Sequence, residues 1–302
     1  MPSPRIPLPN LPLTVTVLSW AFNFVALKSL YAQMTPPAVS LVRFAAMYLV
    51  LIAICAARRE PLALPKEHRF RILLAGFISM GAYMVLFLEG MSSTSASEGA
   101  IVLATAPVFT FVMACAVKQE RFSVAALAAA VVAFVGVALV ILGGAGAPSS
   151  GGSLKGNLII LASAAVWASS VVVMKPVLVD VSPLRMLTLS MPAGLLALIP
   201  YGGVAVVQTD YSAIDLRGWL MFGHVAILSG VVAFLCFYEG IRKVGASTAT
   251  LYQFFVPPTT VFFAWLAFGE KIAPLQAVGL AVIIVGVASS YKARMAAPPS
   301  RS

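Results

Sequence analysis

The chain reads twice, and this duplication constrains its fold more than any other feature. Trp20 precedes Trp167 by 147 residues, and the same interval separates Lys28 from Lys175 and Pro36 from Pro183. The interval then becomes 150 and holds to the end. Glu89-Gly90 matches Glu239-Gly240, Ala96-Ser97 matches Ala246-Ser247, and Pro107 matches Pro257. Glu120-Arg121 matches Glu270-Lys271, and Val135-Gly136-Val137-Ala138 matches Val285-Gly286-Val287-Ala288. The spacing puts one copy at residues 1–146 and the other at 147–302, joined by the linker Gly143 to Gly152.

Composition fixes the solvent. Apolar residues make up 61% of the 302, and charged residues only 10%, against about 25% charged in an average soluble domain. A membrane span takes about 20 apolar residues. Charge-poor segments predict an all-α membrane protein with spans over 12–30, 37–56, 70–90, 96–117, 122–142, 156–174, 182–200, 218–240, 246–268 and 273–291. Cys55, Cys115 and Cys236 all fall in apolar segments, which argues against disulfides and metal sites. The N-terminus has no basic n-region and no clear cleavage site, so the first span reads as an uncleaved helix.

Five spans per copy is an odd number, so the second copy must enter the membrane inverted. With the N-terminus inside, 15 of the 20 Lys and Arg residues lie inside. Lys28, Lys155, Arg217 and Lys271 lie outside, and Arg43 falls within a span. The excess of inside positive charge supports this orientation, with both termini cytoplasmic in a bacterial inner membrane. The net charge of +10 then reflects topology, not nucleic-acid binding.

Interrupted helices at matching places in two halves point to a midplane site. Pro107 sits near the middle of the fourth span and Pro257-Pro258 at the same place in the ninth. Each removes a backbone donor and bends its helix. Near them lie candidate substrate-binding residues: Trp20, Asn23, Tyr83, Thr105, Trp167, Ser170, Tyr252, Gln253 and Phe254. Thr250, Ser97, Ser169, Phe109, Phe255, His224 and Tyr238 lie in the same spans. Amides and hydroxyls bind ammonium and carboxylate, and rings pack on an apolar body. The same polar groups also serve as packing glue between helices.

Charged groups within spans are functional candidates. Arg43 and Glu98 sit at similar depth, on the outer side, and suggest a pair. Lys28 with Glu89, at outer helix ends, and Lys175 with Glu239, at inner ones, suggest two gates that close in turn. Pro107 and Pro257 suggest hinges. The alternative for the lysines is that long side chains at helix ends snorkel to the interface. Gly136 and Gly286 lie among small residues in the fifth and tenth spans, which have few polar groups and read as outer buttresses or a dimer face.

No phosphate loop, metal motif or catalytic set stands out, so neither an enzyme nor a cofactor is expected. A lipid-modifying membrane enzyme would need clustered carboxylates or histidines at the interface. The spans show no group of Lys or Arg at the midplane, which argues against phosphate substrates. The expected partners are a small-molecule substrate and membrane lipid, in a monomer or homodimer.

The inverted layout is joined by five local patterns. They are the Trp/Lys pattern of each copy's first span, the Pro36 to Arg43-Phe44 stretch, and the Glu-Gly ends of the third and eighth spans. The Ala-Ser to Pro to Glu-Arg/Lys pattern and the Gly-Val-Ala pattern complete them. Together they resemble the drug/metabolite transporter superfamily, in its EamA-type branch, over nearly the whole chain. That superfamily carries amino acids, sugar phosphates, nucleotide sugars and drugs. The chain looks most similar to bacterial aromatic amino acid exporters of the YddG type. The resemblance implies ten helices, alternating access, and export of small amphipathic metabolites, aromatic or other neutral amino acids first. A multidrug or quaternary-amine exporter is the second reading. Arg43 aligns with Ser190, so its charge is not duplicated.

Overall fold

The structure, a computed structural model, describes residues 10–119, 124–144, 153–244, 249 and 252–295. Among these residues it is helical throughout and contains no strand. We number the helices α1 (Leu11–Leu30), α2 (Pro36–Ala57), α3 (Arg69–Ser92), α4 (Ala96–Ala116) and α5 (Val124–Gly144). They continue as α6 (Leu154–Met174), α7 (Pro183–Gln208), α8 (Leu216–Lys243), α9 (Gln253–Phe268) and α10 (Pro274–Met295). Seven of them (α1–α4 and α6–α8) are long and apolar enough to cross a membrane, and α9 and Pro274–Gly286 are shorter apolar helices. Helix α5 carries no charged residue over its 21 positions.

Local chemistry sets the boundaries. Asn10 caps α1, Ser95 caps α4, Ser153 caps α6, Ser182 caps α7 and Asp215 caps α8, each side chain accepting from a first-turn backbone N–H. Helix α9 ends at Gly269, whose φ of 64° is the left-handed conformation that closes a helix. Helix α7 runs to Gln208, beyond the predicted end at residue 200, straight through Pro192 and Pro200. Apolar surroundings favour continuing the helix, because released backbone groups would find no water there.

Three irregularities interrupt otherwise regular helices. Helix α3 contains a π-helical turn at Phe77–Ala82 and α8 a longer one at His224–Val232. Helix α4 breaks after Leu103 and resumes at Ala106, while α9 passes from a 3₁₀ turn at Gln253–Phe255 into α-helix at Val256. Pro107 and Pro257 therefore stand in the first turn of a resumed helix. Proline fits there because those N–H groups have no intrahelical partner.

The packing pairs exchange the two halves. Helix α1 packs on α8 and α9, and α6 packs on α3 and α4. Helix α2 meets α7, and α5 meets α10. Gly136 touches Gly279 so closely that an added Cβ would lie 2.7 Å from the Gly279 carbonyl oxygen. The Gly136 face is thus spent on α10 of the same chain, which favours the buttress over the dimer face for this residue. Short polar ties hold the helix ends. Gln33 Nε2 donates to Asp215 Oδ1 (3.0 Å) at one end, and His68 lies 3.0 Å from Asp180 at the other. The backbone N–H of Gly218, and then Gln33, hold the Asp215 carboxyl below the usual carboxylate range.

Candidate functional site

A cavity of about 640 Å³, its mouth included, lies where α1, α2, α3, α4, α6, α8 and α9 converge. Its walls are mostly aromatic. The Trp20 and Trp167 rings meet edge to face at 6.1 Å, and Phe234 lies 5.4 Å from Trp20 and 5.8 Å from Trp167. Tyr83 sits 5.1 Å from Trp167 and 5.5 Å from Phe87. Trp20 is oriented by its indole N–H, which donates to the Ser229 carbonyl in the π-helical turn of α8 (3.3 Å). The first π-helical turn, in α3, immediately precedes Tyr83. Such turns re-aim neighbouring side chains and are common at functional sites.

The polar groups of the cavity are few and sharply placed. Asn23, Arg43, Tyr83, Ser229 and Gln253 line it. The Asn23 Oδ1, Arg43 Nε and Ser229 Oγ atoms are buried without hydrogen-bond partners. The lining contains no carboxylate among the described residues.

Of the nine predicted binding residues, five line this space: Trp20, Asn23, Tyr83, Trp167 and Gln253. The other four stand elsewhere. The hydroxyls of Thr105 and Ser170 donate to the Val102 and Trp167 carbonyls of their own helices (2.8 and 2.7 Å), as hydroxyls in apolar helices commonly do. Tyr252 packs toward Phe255, and Phe254 packs on the core. Thr250 lies outside the described residues. Phe24, Met84, Phe87, Ser229 and Phe234 line the cavity and were not anticipated. Aromatic residues are too common in apolar spans for sequence alone to single these out.

The charged residues are rearranged relative to expectation. Arg43 does not pair with Glu98. It turns into the cavity, with Cζ 5.3 Å from the Phe44 ring and Nη1 3.9 Å from the Met84 sulfur. A single guanidinium therefore borders the cavity.

Glu98 is buried away from the cavity. It accepts from Asn157 Nδ2 (2.9 Å) and Gln276 Nε2 (2.6 Å), and the Thr94 hydroxyl lies 3.2 Å away. These bonds join α4 to α6 and α10.

The outer of the two expected gate pairs is not made. No ion pair joins Lys28 to Glu89, because Glu89 accepts from the Tyr201 hydroxyl and Lys28 faces the field of Glu270 and Glu98. Glu239 pairs with Arg242 (3.1 Å) and Lys243 (3.1 Å) on its own helix.

A different cross-link stands at the end of the molecule where α1 finishes. The Glu270 carboxylate accepts from the backbone N–H groups of Ala96 and Ser97 (3.2 Å each) and from Ser97 Oγ (2.7 Å). It satisfies first-turn donors of α4 from outside the helix, where a negative charge also complements the helix dipole. The matching residues Glu120-Arg121 and Ala246-Ser247, and most of the linker Gly143 to Gly152, lie outside the described residues.

A bundle of long apolar helices around a mostly apolar cavity marks a multi-pass membrane protein. The chain belongs to the EamA-like transporter family, which it matches over residues 10–142 and again over 154–291. It is 26% identical over 279 residues to a probable terminal-alkyne amino-acid exporter of Streptantibioticus cattleyicolor, covering 91% of this chain and 90% of that one. It is 26% identical over 244 residues to the uncharacterized transporter YyaM of Bacillus subtilis, covering 80% of this chain and 79% of the other. A solved crystal structure with 18% identity superposes with a TM-score of 0.66 over 94% of this chain and 96% of its own, which shows a shared fold.

Proposed function

We propose that this EamA-type transporter is a carrier of the bacterial inner membrane that exports small amphipathic metabolites, aromatic or other neutral amino acids first. It works by alternating access between two inverted five-helix copies, with both termini cytoplasmic. The observation that carries this reading is the aromatic cavity where the halves meet, with few polar groups and two broken helices beside it. The exchange of packing pairs and the two stretches of family match support the inverted duplication. One relative is named as an amino-acid exporter, which lends weight to the substrate class. The breaks at Thr105 and Gln253 give each half a place to bend, and the Glu270 latch gives one end a closure that must release.

The test is uptake of radiolabelled phenylalanine into liposomes containing the pure protein, with and without a proton gradient. Saturable uptake that falls on Gln253→Ala supports the reading. The second reading is an exporter of organic cations, since aromatic walls also suit a quaternary ammonium. Entry of a labelled organic cation without entry of phenylalanine would decide for it.

A further inference from the structure

Arg43 is 2% exposed and borders the cavity. A guanidinium offers five N–H donors in a planar fork and remains charged at physiological pH. Here Nε has no partner, and Nη1 finds only a sulfur at 3.9 Å. The Phe44 ring at 5.3 Å offers its π face and no lone pair. No carboxylate among the described residues lies within ion-pair distance. A buried charge left in this state is strongly unfavourable unless something supplies the missing acceptors. The side chain is not excused by its position, because its one open direction is the cavity.

A planar two-oxygen anion fits the guanidinium fork through two parallel hydrogen bonds. A doubly charged phosphate would need a second cation, and the lining holds none. The remaining walls, Trp20, Trp167 and Phe234, suit an apolar or aromatic body. Of the other unpartnered atoms, Ser229 Oγ is a hydroxyl, and Asn23 Oδ1 is an acceptor that accommodates an N–H donor on the same ligand.

We propose that Arg43 anchors a single carboxylate of the ligand, so that the site selects monocarboxylates with an apolar or aromatic body and refuses organic cations. This rests on the carrier reading only for the claim that the ligand is then moved; binding itself does not depend on it. It also decides between the two readings above, since a quaternary ammonium would face the guanidinium with no counter-charge.

The experiment is calorimetric titration of the full-length protein in lipid nanodiscs with three ligands that share a phenylethyl body. Phenylalanine carries both charges, 3-phenylpropionate only the carboxylate, and phenethylamine only the ammonium. The two carboxylates are expected to bind and phenethylamine not to. Arg43→Gln is expected to weaken both carboxylates by about tenfold to a hundredfold, the range for a hydrogen bond to a charged group. Arg43→Lys, which keeps the charge and loses the fork, falls between. Because removing a buried arginine can disturb folding, Met84→Glu is the second variant. It places a carboxylate beside Nη1, completes the pair internally, and is expected to abolish carboxylate binding in a folded protein.

Equal or tighter binding of phenethylamine by the unaltered protein overturns the anchor. So does an Arg43→Gln protein, folded by its melting curve, with unchanged carboxylate affinity. A protein that binds the carboxylates but moves none in liposomes refutes the carrier and keeps the anchor. One that moves phenethylamine in preference refutes the anchor and keeps the carrier.

Discussion

Removing Glu270 is expected to open the end of the molecule that it ties. Its carboxylate makes three hydrogen bonds to the start of α4, two of them to first-turn backbone N–H groups. Losing a cap of this kind costs about 1 kcal/mol. The charge at the helix N-terminus adds about 0.5 kcal/mol, and the short bond to Ser97 about 1 kcal/mol after allowance for partial exposure. Glu270→Ala should therefore shift the closed-to-open balance by about 2–3 kcal/mol, or about thirty- to a hundred-and-fifty-fold. Glu270→Gln keeps an acceptor oxygen and should shift it only about fivefold.

The assay is the rate at which a membrane-impermeant thiol reagent modifies a cysteine at Ala100, a cavity position on α4. Cys55, Cys115 and Cys236 are first replaced by alanine. When modification is slow relative to closing, the rate reports the open population. The rate from the face where α1 ends should rise in the order wild type, Gln, Ala. An unchanged rate in folded Glu270→Ala would refute the latch.

Other outcomes follow from single contacts. Gly76→Ala would place a Cβ 2.0 Å from the Ser190 carbonyl, a backbone atom that cannot swing aside, so its melting temperature should drop sharply. Gly223→Ala, with nothing within 4 Å, should instead be stabilised by about 0.5–1 kcal/mol in the same melt. Gln276→Leu leaves a buried Glu98 oxygen without its donor at 2.6 Å and should cost about 2–3 kcal/mol, read as a lower melting temperature with the cavity intact. The Asp215 carboxyl is held below its usual range, so its contribution is complete above the unfolded value and is lost as pH falls through the lowered folded value. Hydrogen exchange at the Gly218 amide should accordingly stay slow from neutral pH down to about pH 4.

Helix positions were legible because burial in lipid leaves runs of uncharged residues, and charged groups mark where those runs stop. Eight of the ten predicted starts, from residue 12 to residue 273, can be compared, and all eight lie within two residues of the observed helix. The fifth and ninth spans, predicted from 122 and 246, have starts that fall among residues that are not described. The α7 end was missed because proline reads as a stop in water and is tolerated in an apolar bundle. The π-helical turns were not legible at all, since no residue type demands them.

Within the site, Trp20, Asn23, Trp167 and Gln253 could be read from repeat position and polarity. Arg43 was noticed for the right reason, a charge within a span, but given the wrong partner. Depth along a helix is visible in sequence, whereas the direction a side chain takes around it depends on the neighbours. Glu98 and Arg43 face different surroundings.

Three of the five polar side chains that line the cavity, Asn23, Arg43 and Tyr83, belong to the first half, and Ser229 and Gln253 to the second. Arg43 matches Ser190, Asn23 matches Ser170 and Tyr83 matches Ala233, so the cavity's one charge has no counterpart in the other half. If the chain works by alternating access, as proposed, a site with one unduplicated charge does not present mirror images of itself to the two faces of the membrane. Its half-saturation concentrations on the two sides would then differ. Because net flux must vanish at equal concentrations, its maximal rates would differ in the same ratio, giving one face a tight, slow entry and the other a loose, fast one without any input of energy.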